Sequence, residues 1–278
     1  MPELVYISPN NTSISLTNNR GFLLTDAEGL TQSDIAISAT EFGSDDGSIV
    51  NSLRAQPRGI VLYLTIKSGQ DVETVKRDIL SIIKPKQTGR LLWTQNGRTI
   101  EIEGVVNAVS MPRFTNNAVM QITLYCPQAF WQDAEYNIRY IELVDALHHF
   151  VVAFPMGKGI PMGVYNLNLT KTFDNFGDAA TGVIITIIAT GEIKNPLLER
   201  SDGLYFGVNE TMQAGDSIVI NTTKGHKSVE KNGVNIMNSV KEGSTWLQLE
   251  TGSNTFTISD EYRTGAMYFT FEYKQKYV

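Results

Sequence analysis

The stretch that most constrains the fold is residues 118–133, AVMQITLYCPQAFWQD. Its first half alternates: Val119, Gln121, Thr123 and Tyr125 fall on one side, Met120, Ile122, Leu124 and Cys126 on the other. That period of two in β-favouring residues describes a strand with one buried face. Pro127 brings no amide donor and drives Cys126 towards an extended conformation, so strand pairing is expected to stop there. Phe130 and Trp131 follow at once. Cys126, Pro127, Phe130 and Trp131 are therefore expected to form a plug under the strand end, where one domain finishes. This sets two domains, residues 1–132 and 133–278.

Composition narrows what such a chain can do. A length of 278 residues suits one large or two ordinary domains. No run approaches the roughly 20 apolar residues of a membrane-spanning helix, and membrane insertion is not expected. The start, MPELVYISPNN, lacks the basic and apolar regions of a secretory signal. Without that context the Asn-x-Ser/Thr triplets at Asn11, Asn168, Asn209 and Asn221 carry no weight. A single cysteine excludes an internal disulfide framework, so packing must hold the fold, and Cys126 reads most simply as a small core residue. The net charge of −6 is spread evenly: residues 1–135 hold 11 basic and 14 acidic side chains, residues 136–278 hold 12 and 15. Neither half has the cationic excess that phosphate-dominated binding needs.

Before the central strand, Leu4–Ile7 and Ser13–Leu16 read as strands around the Pro9-Asn10-Asn11 turn. Ile35 and Ile37 mark another strand ending near Phe42, and Gly43–Ser48 is a loop. Asp45 and Asp46 in it lack the ligand alternation of a calcium hand, which favours a solvated turn. Gly59–Ile66 is a near-continuous apolar strand with both faces expected to be covered. Asp71 can N-cap a helix running to about Ile83, with Val72, Val75, Ile79, Ile82 and Ile83 as its apolar stripe and Pro85 as its stop. Strands follow on either side of Asn96-Gly97, the strongest two-residue hairpin signal. Glu101 and Glu103 lie on one face of the second strand, roughly 7 Å apart by strand rise. A catalytic carboxylate pair needs two distinct environments, and an exposed outer sheet face is the simpler expectation.

Beyond Trp131, strands are expected at Tyr136–Val144 and Leu147–Phe154. His148 and His149 are adjacent and would point to opposite faces, and His226 stands alone, so no metal site is expected. Met156–Gly159 lacks the frame of a phosphate loop and reads as a connector. Val183–Ile188, Ser217–Ile220, the Asn232-Gly233 hairpin, Thr255–Ile258 and Met267–Tyr273 give short strands with regular turn signals, the pattern of a sandwich or jelly roll. Trp246, beside Ser244, Thr245 and Gln248, is either a core or rim aromatic or a sugar-stacking platform. No constellation indicates a cofactor or an enzyme, and the whole chain reads as mainly β with one α-helix.

The strand that ends in CPQAFW, followed by NFGDAAT at 175–181, GEIKNP at 191–196 and GDSIVINTTKG at 215–225, resembles the distal tail proteins of long non-contractile-tailed bacteriophages. Cys126, Phe130 and Trp131 match that family's N-terminal domain end in type. Pro127 departs from it, standing directly after the cysteine instead of before the aromatic pair. The resemblance implies an N-terminal ring domain, sandwich or split-barrel-like, and a C-terminal galectin-like, carbohydrate-binding-module-like β-sandwich. It implies a homo-hexameric ring at a virion tail tip, made in the host cytoplasm. Its partners would be the tail tube protein, a tail-tip or tail-associated lysin-like protein and a receptor-binding protein at the rim. DNA would pass through without tight binding, with Arg54, Arg58 or Arg113 as local lumen contacts. Two other readings stay open from the residues: a carbohydrate-binding adhesion module using Trp246 or Tyr262, and a glycosidase using Glu101 and Glu103.

Overall fold

The computed structural model describes residues 2–31, 33–43, 46–111, 119–141, 144–146, 163–165, 169–262 and 265–278; for 144–146 and 163–165 this extends to the backbone alone. Asp45, Arg113, His148, His149, Met156–Gly159 and Asn168 lie outside the described residues. The chain divides into two compact units, Met1–Ala134 with Lys276–Val278, and Glu135–Gln275.

The first unit runs β1 (Glu3–Ile7), β2 (Ser13–Ser15), β3 (Phe22–Glu28), β4 (Ile35–Glu41), β5 (Ser48–Ala55), β6 (Arg58–Ile66), α1 (Val72–Ile82), β7 (Thr88–Gln95), β8 (Arg98–Ser110), β9 (Val119–Cys126) and β10 (Trp131–Asp133). Its main sheet is antiparallel, ordered β2-β1-β7-β8-β9-β6-β3. A flat sheet of that width would hold its edges about 29 Å apart, whereas the link through residues 16–21 reaches at most about 24 Å. The sheet therefore curls, and Leu4, Ile14, Phe22, Leu62 and Ile102 from across it share one core. Helix α1 adds Val75 and Ile79 to that core. Asp71 caps it as expected, its carboxylate accepting from the Thr74 amide at 3.0 Å.

Pairing does stop at Cys126, and it resumes. β9 lies along the second half of β8, residues 127–130 bulge out, and β10 rejoins β8 at Gln132↔Glu101. The other side of β10 pairs with Lys276–Tyr277, which is why the last residues return to this unit. Two expectations change here. β6 has one buried face (Ile60, Leu62, Leu64, Ile66), while its other face is only partly covered. Glu101 is buried, not on an open face: Arg90 Nη1 donates to Oε2 at 3.2 Å and Gln132 Nε2 to Oε1 at 3.3 Å. Glu103 is exposed, so the two carboxylates do not share a solvent-filled space.

The second unit has two main sheets. One is ordered Asn137–Ile141, Met267–Tyr273, Val183–Ala189, Ser217–Asn221, Ser228–Lys231, Val234–Asn235; the other Thr170–Asn175, Gly252–Ser259, Leu197–Arg200, Tyr205–Gly207. Inward residues of both sheets form one core. Phe271 of the first meets Phe173 and Phe256 of the second at ring-centroid distances of 5.0 and 5.5 Å, as in a β-sandwich. Asn96-Gly97 and Asn232-Gly233 both turn with positive φ at each residue, the conformation such hairpins require.

Candidate assembly surface

Among the described residues, the β4–β5 hairpin carries an apolar face that is left exposed. Its strands pair only with each other among the described residues, forming a two-stranded sheet apart from the main one. The register Ile35↔Ala55, Ile37↔Leu53 and Ala39↔Val50 places these six on one face. Ile35, Ile37, Val50 and Leu53 on that face are 53–66% exposed. The opposite face pairs Ala36 with Arg54, Ser38 with Ser52 and Thr40 with Ile49, and Asn51 donates to the Thr40 hydroxyl at 2.7 Å. A lone hairpin with one bare apolar face is marginal in water, and a contiguous apolar patch of this kind marks an interaction site. The sequence showed Ile35 and Ile37 but not their partners on β5, because Ser48–Ala55 alternates too weakly to announce a strand.

The root of the hairpin is held from beneath. Gln56 donates its amide to the Asp34 carbonyl at 2.8 Å. Arg58 is 1% exposed: Nε donates to Ala129 O at 2.9 Å, and Nη1 to Gly29 O and Leu30 O at 3.0 and 2.7 Å. Trp131 Nε1 donates to the same Leu30 carbonyl at 2.9 Å. The lumen expectation for Arg58 is thus overturned, because its side chain lies on the core face of β6, in phase with Ile60 and Leu62. That phase was readable in the sequence had the strand been started one residue earlier. Arg54 lies on the polar face of the hairpin.

Of the four residues expected at the strand end, Trp131 and Cys126 are enclosed, Phe130 is half-buried and Pro127 is exposed. Trp131 meets Trp93 edge-on at 5.7 Å. Cys126 pairs with Arg58 across β6 and β9, and burial pushes its thiol up to about 11, against the pull of the neighbouring guanidinium. Trp246 packs on Phe206 at 5.0 Å, with Lys227 Nζ 5.1 Å from its ring centroid, so core packing and a cation already engage the indole. Tyr262 has Lys194 Nζ at 5.8 Å from its ring. His226 sits in an exposed turn, its amide bonded to Thr223 O. Among the described residues no three His, Cys, Asp or Glu side chains gather as metal ligands do.

Residues 176–277 match the model of the siphovirus-type tail component, C-terminal domain. The match covers less than half of the chain, almost all of it within the second unit. No curated protein matches. Among solved structures, SPP1 Dit (gp 19.1), described as a paradigm of hub adsorption apparatus in Gram-positive infecting phages, aligns with a TM-score of 0.71 at 13% identity, covering 99% of each chain. A chain of the phage P2 baseplate in its activated conformation with Ca aligns at 0.52 and 12% identity, over 99% of this chain and 98% of that one. The same baseplate with Sr gives 0.51 and 11%, over 100% of both. At these identities the likeness is one of fold. It extends over both units of the chain, beyond the family model's residues.

Proposed function

We propose that this chain is a distal tail protein, a structural hub component of a phage tail tip, and the subunit of a hexameric ring that joins the tail tube to the tip and leaves a passage for DNA. The observation that carries the reading is the β4–β5 hairpin, whose apolar face is uncovered within the subunit while its polar face suits water. Identical subunits in head-to-tail contact close into a ring when their rotation allows it, and the contact would cover that face. The polar face, bearing Arg54, Ser38, Ser52 and Asn51, would then line the passage. One cation per hairpin in a net-acidic chain gives only weak, salt-sensitive attraction to a duplex, which suits DNA in transit. The partners supported by this role are the tail tube protein on one side, a tail-tip or lysin-like protein on the other and a receptor-binding protein at the rim. The role is mechanical and needs no catalysis.

Light scattering and electron microscopy of the full chain test it. We expect a six-fold particle with an open centre, and monomers from Ile37→Ser with Leu53→Ser whose unfolding midpoint matches the parent. A chain that stays monomeric at high concentration would overturn the reading, as would assembly unaffected by the double substitution.

A further inference from the structure

Arg58 is an anomaly in its own strand. The buried phase of β6 continues Ile60, Leu62, Leu64, Ile66, and an apolar residue at 58 would extend it. A guanidinium sits there instead, enclosed, held by three main-chain carbonyls and, among the described residues, by no carboxylate, with Nη2 lacking a hydrogen-bond partner there. A buried charge of this kind is a poor source of stability, since apolar replacement of buried ionic groups is often neutral or favourable. What the arrangement supplies is geometry. Two of the three carbonyls, Gly29 and Leu30, belong to the segment entering the hairpin, and Trp131 holds Leu30 from a second direction. The third, Ala129, belongs to the bulge between β9 and β10. Gly29 itself has φ +77°, and a Cβ there would collide with the Gly59 carbonyl, so the entering chain is pressed onto β6 just beyond the hairpin's exit.

We propose that Arg58 and Trp131 are positioning residues whose shared grip on Gly29-Leu30 sets the direction in which the β4–β5 hairpin leaves the main sheet. A planar guanidinium that directs Nη1 to two successive carbonyls and Nε to a third fixes orientation as well as distance, which a lysine or an apolar side chain does not. With no other strand beside it among the described residues, the hairpin has few internal contacts to set its direction, so its root must do so. The consequence for assembly rests on the ring reading above; the anchoring itself does not.

Hydrogen–deuterium exchange on the full chain tests this with Arg58→Lys, which keeps the charge and loses the fork, and Trp131→Phe, which keeps an aromatic and loses the Leu30 bond. Amides of residues 29–57 should exchange about tenfold faster in each variant, the scale of one lost charged or buried hydrogen bond. Protection of residues 60–66 and 119–126 should stay at the parent level, and the share of assembled particle should fall. Leu53→Ser is the contrasting variant, expected to lose assembly without faster exchange at residues 29–31. Unchanged exchange at 29–57 in both anchor variants would overturn the proposal. So would acceleration there matched by equal acceleration in β6 and β9, which is what a purely structural role would give. If the parent chain never assembles, the ring reading fails while the exchange data still decide the anchor.

Discussion

Trp131 is fully enclosed, meets Trp93 edge-on and donates to Leu30, so its removal takes away packing and a hydrogen bond together. Trp131→Ala should destabilise the first unit by about 3–5 kcal/mol, the range for aromatic truncation in a core, read as a shifted denaturant midpoint. An unmoved midpoint would show that the indole is not part of the stabilising core. Cys126 offers a second residue-scale test, because burial raises its thiol from 9.0 to about 11. A raised value in the fold means stability that is fully present below the unfolded value and lost as pH climbs towards the folded one. The parent should therefore lose stability relative to Cys126→Ala between pH 9 and about 11, and its thiol should resist labelling at pH 8 until the protein is unfolded. Rapid native labelling would contradict the burial. Both residues were expected in the core from the strand's alternation and the aromatic pair after it. Their neighbour Arg58 was not, since nothing local marks an arginine as enclosed.

Single elements were readable wherever their chemistry is local. Helix α1 starts at its Asp71 cap and carries its apolar stripe inward, because both signals lie within a few residues of each other. Hydrogen bonds from the Thr74 hydroxyl and amide hold the Asp71 carboxyl below its usual range. A depressed carboxyl contributes above its unfolded value, about 3.9, and the contribution disappears as pH falls through the folded value. Asp71→Ala should accordingly lower the thermal midpoint at pH 7, and the gap between the two proteins should shrink near pH 3. A gap of equal size at both pH values would mean that the carboxylate is not the cap. β5 was less readable than the helix, since Ser48–Ala55 owes its strand form to pairing with β4.

At the scale of the molecule the chain leaves the first unit after Ala134 and returns to it at Lys276. Tyr277 then pairs beside Trp131, lies under the Arg98 guanidinium at 3.5 Å and donates to Asp133 Oδ1 at 3.0 Å. Removing residues 276–278 should lower the stability of the first unit by about 3 kcal/mol, as for loss of a buried aromatic. In a fluorescence-monitored melt the transition carried by Trp93 and Trp131 should move while that carried by Trp246 stays. A fragment ending at residue 132 should suffer the same loss. Transitions that move together would show that the last strand does not belong to the first unit alone.

The β periods, the two Asn-Gly hairpins and the capped helix are legible from the chain because each depends on residues a few positions apart, and the even charge that disfavours tight nucleic-acid binding is a sum over composition. Folding alone closes Glu101 in between Arg90 and Gln132, brings Tyr277 back to complete the first unit, and leaves the apolar face of β4–β5 exposed. These depend on which distant strands come to lie side by side. A side chain's environment is set by partners that period and propensity do not name: the same phase that makes Ile60 a core residue makes Arg58 an anchor only because Gly29, Leu30 and Ala129 bring their carbonyls to it.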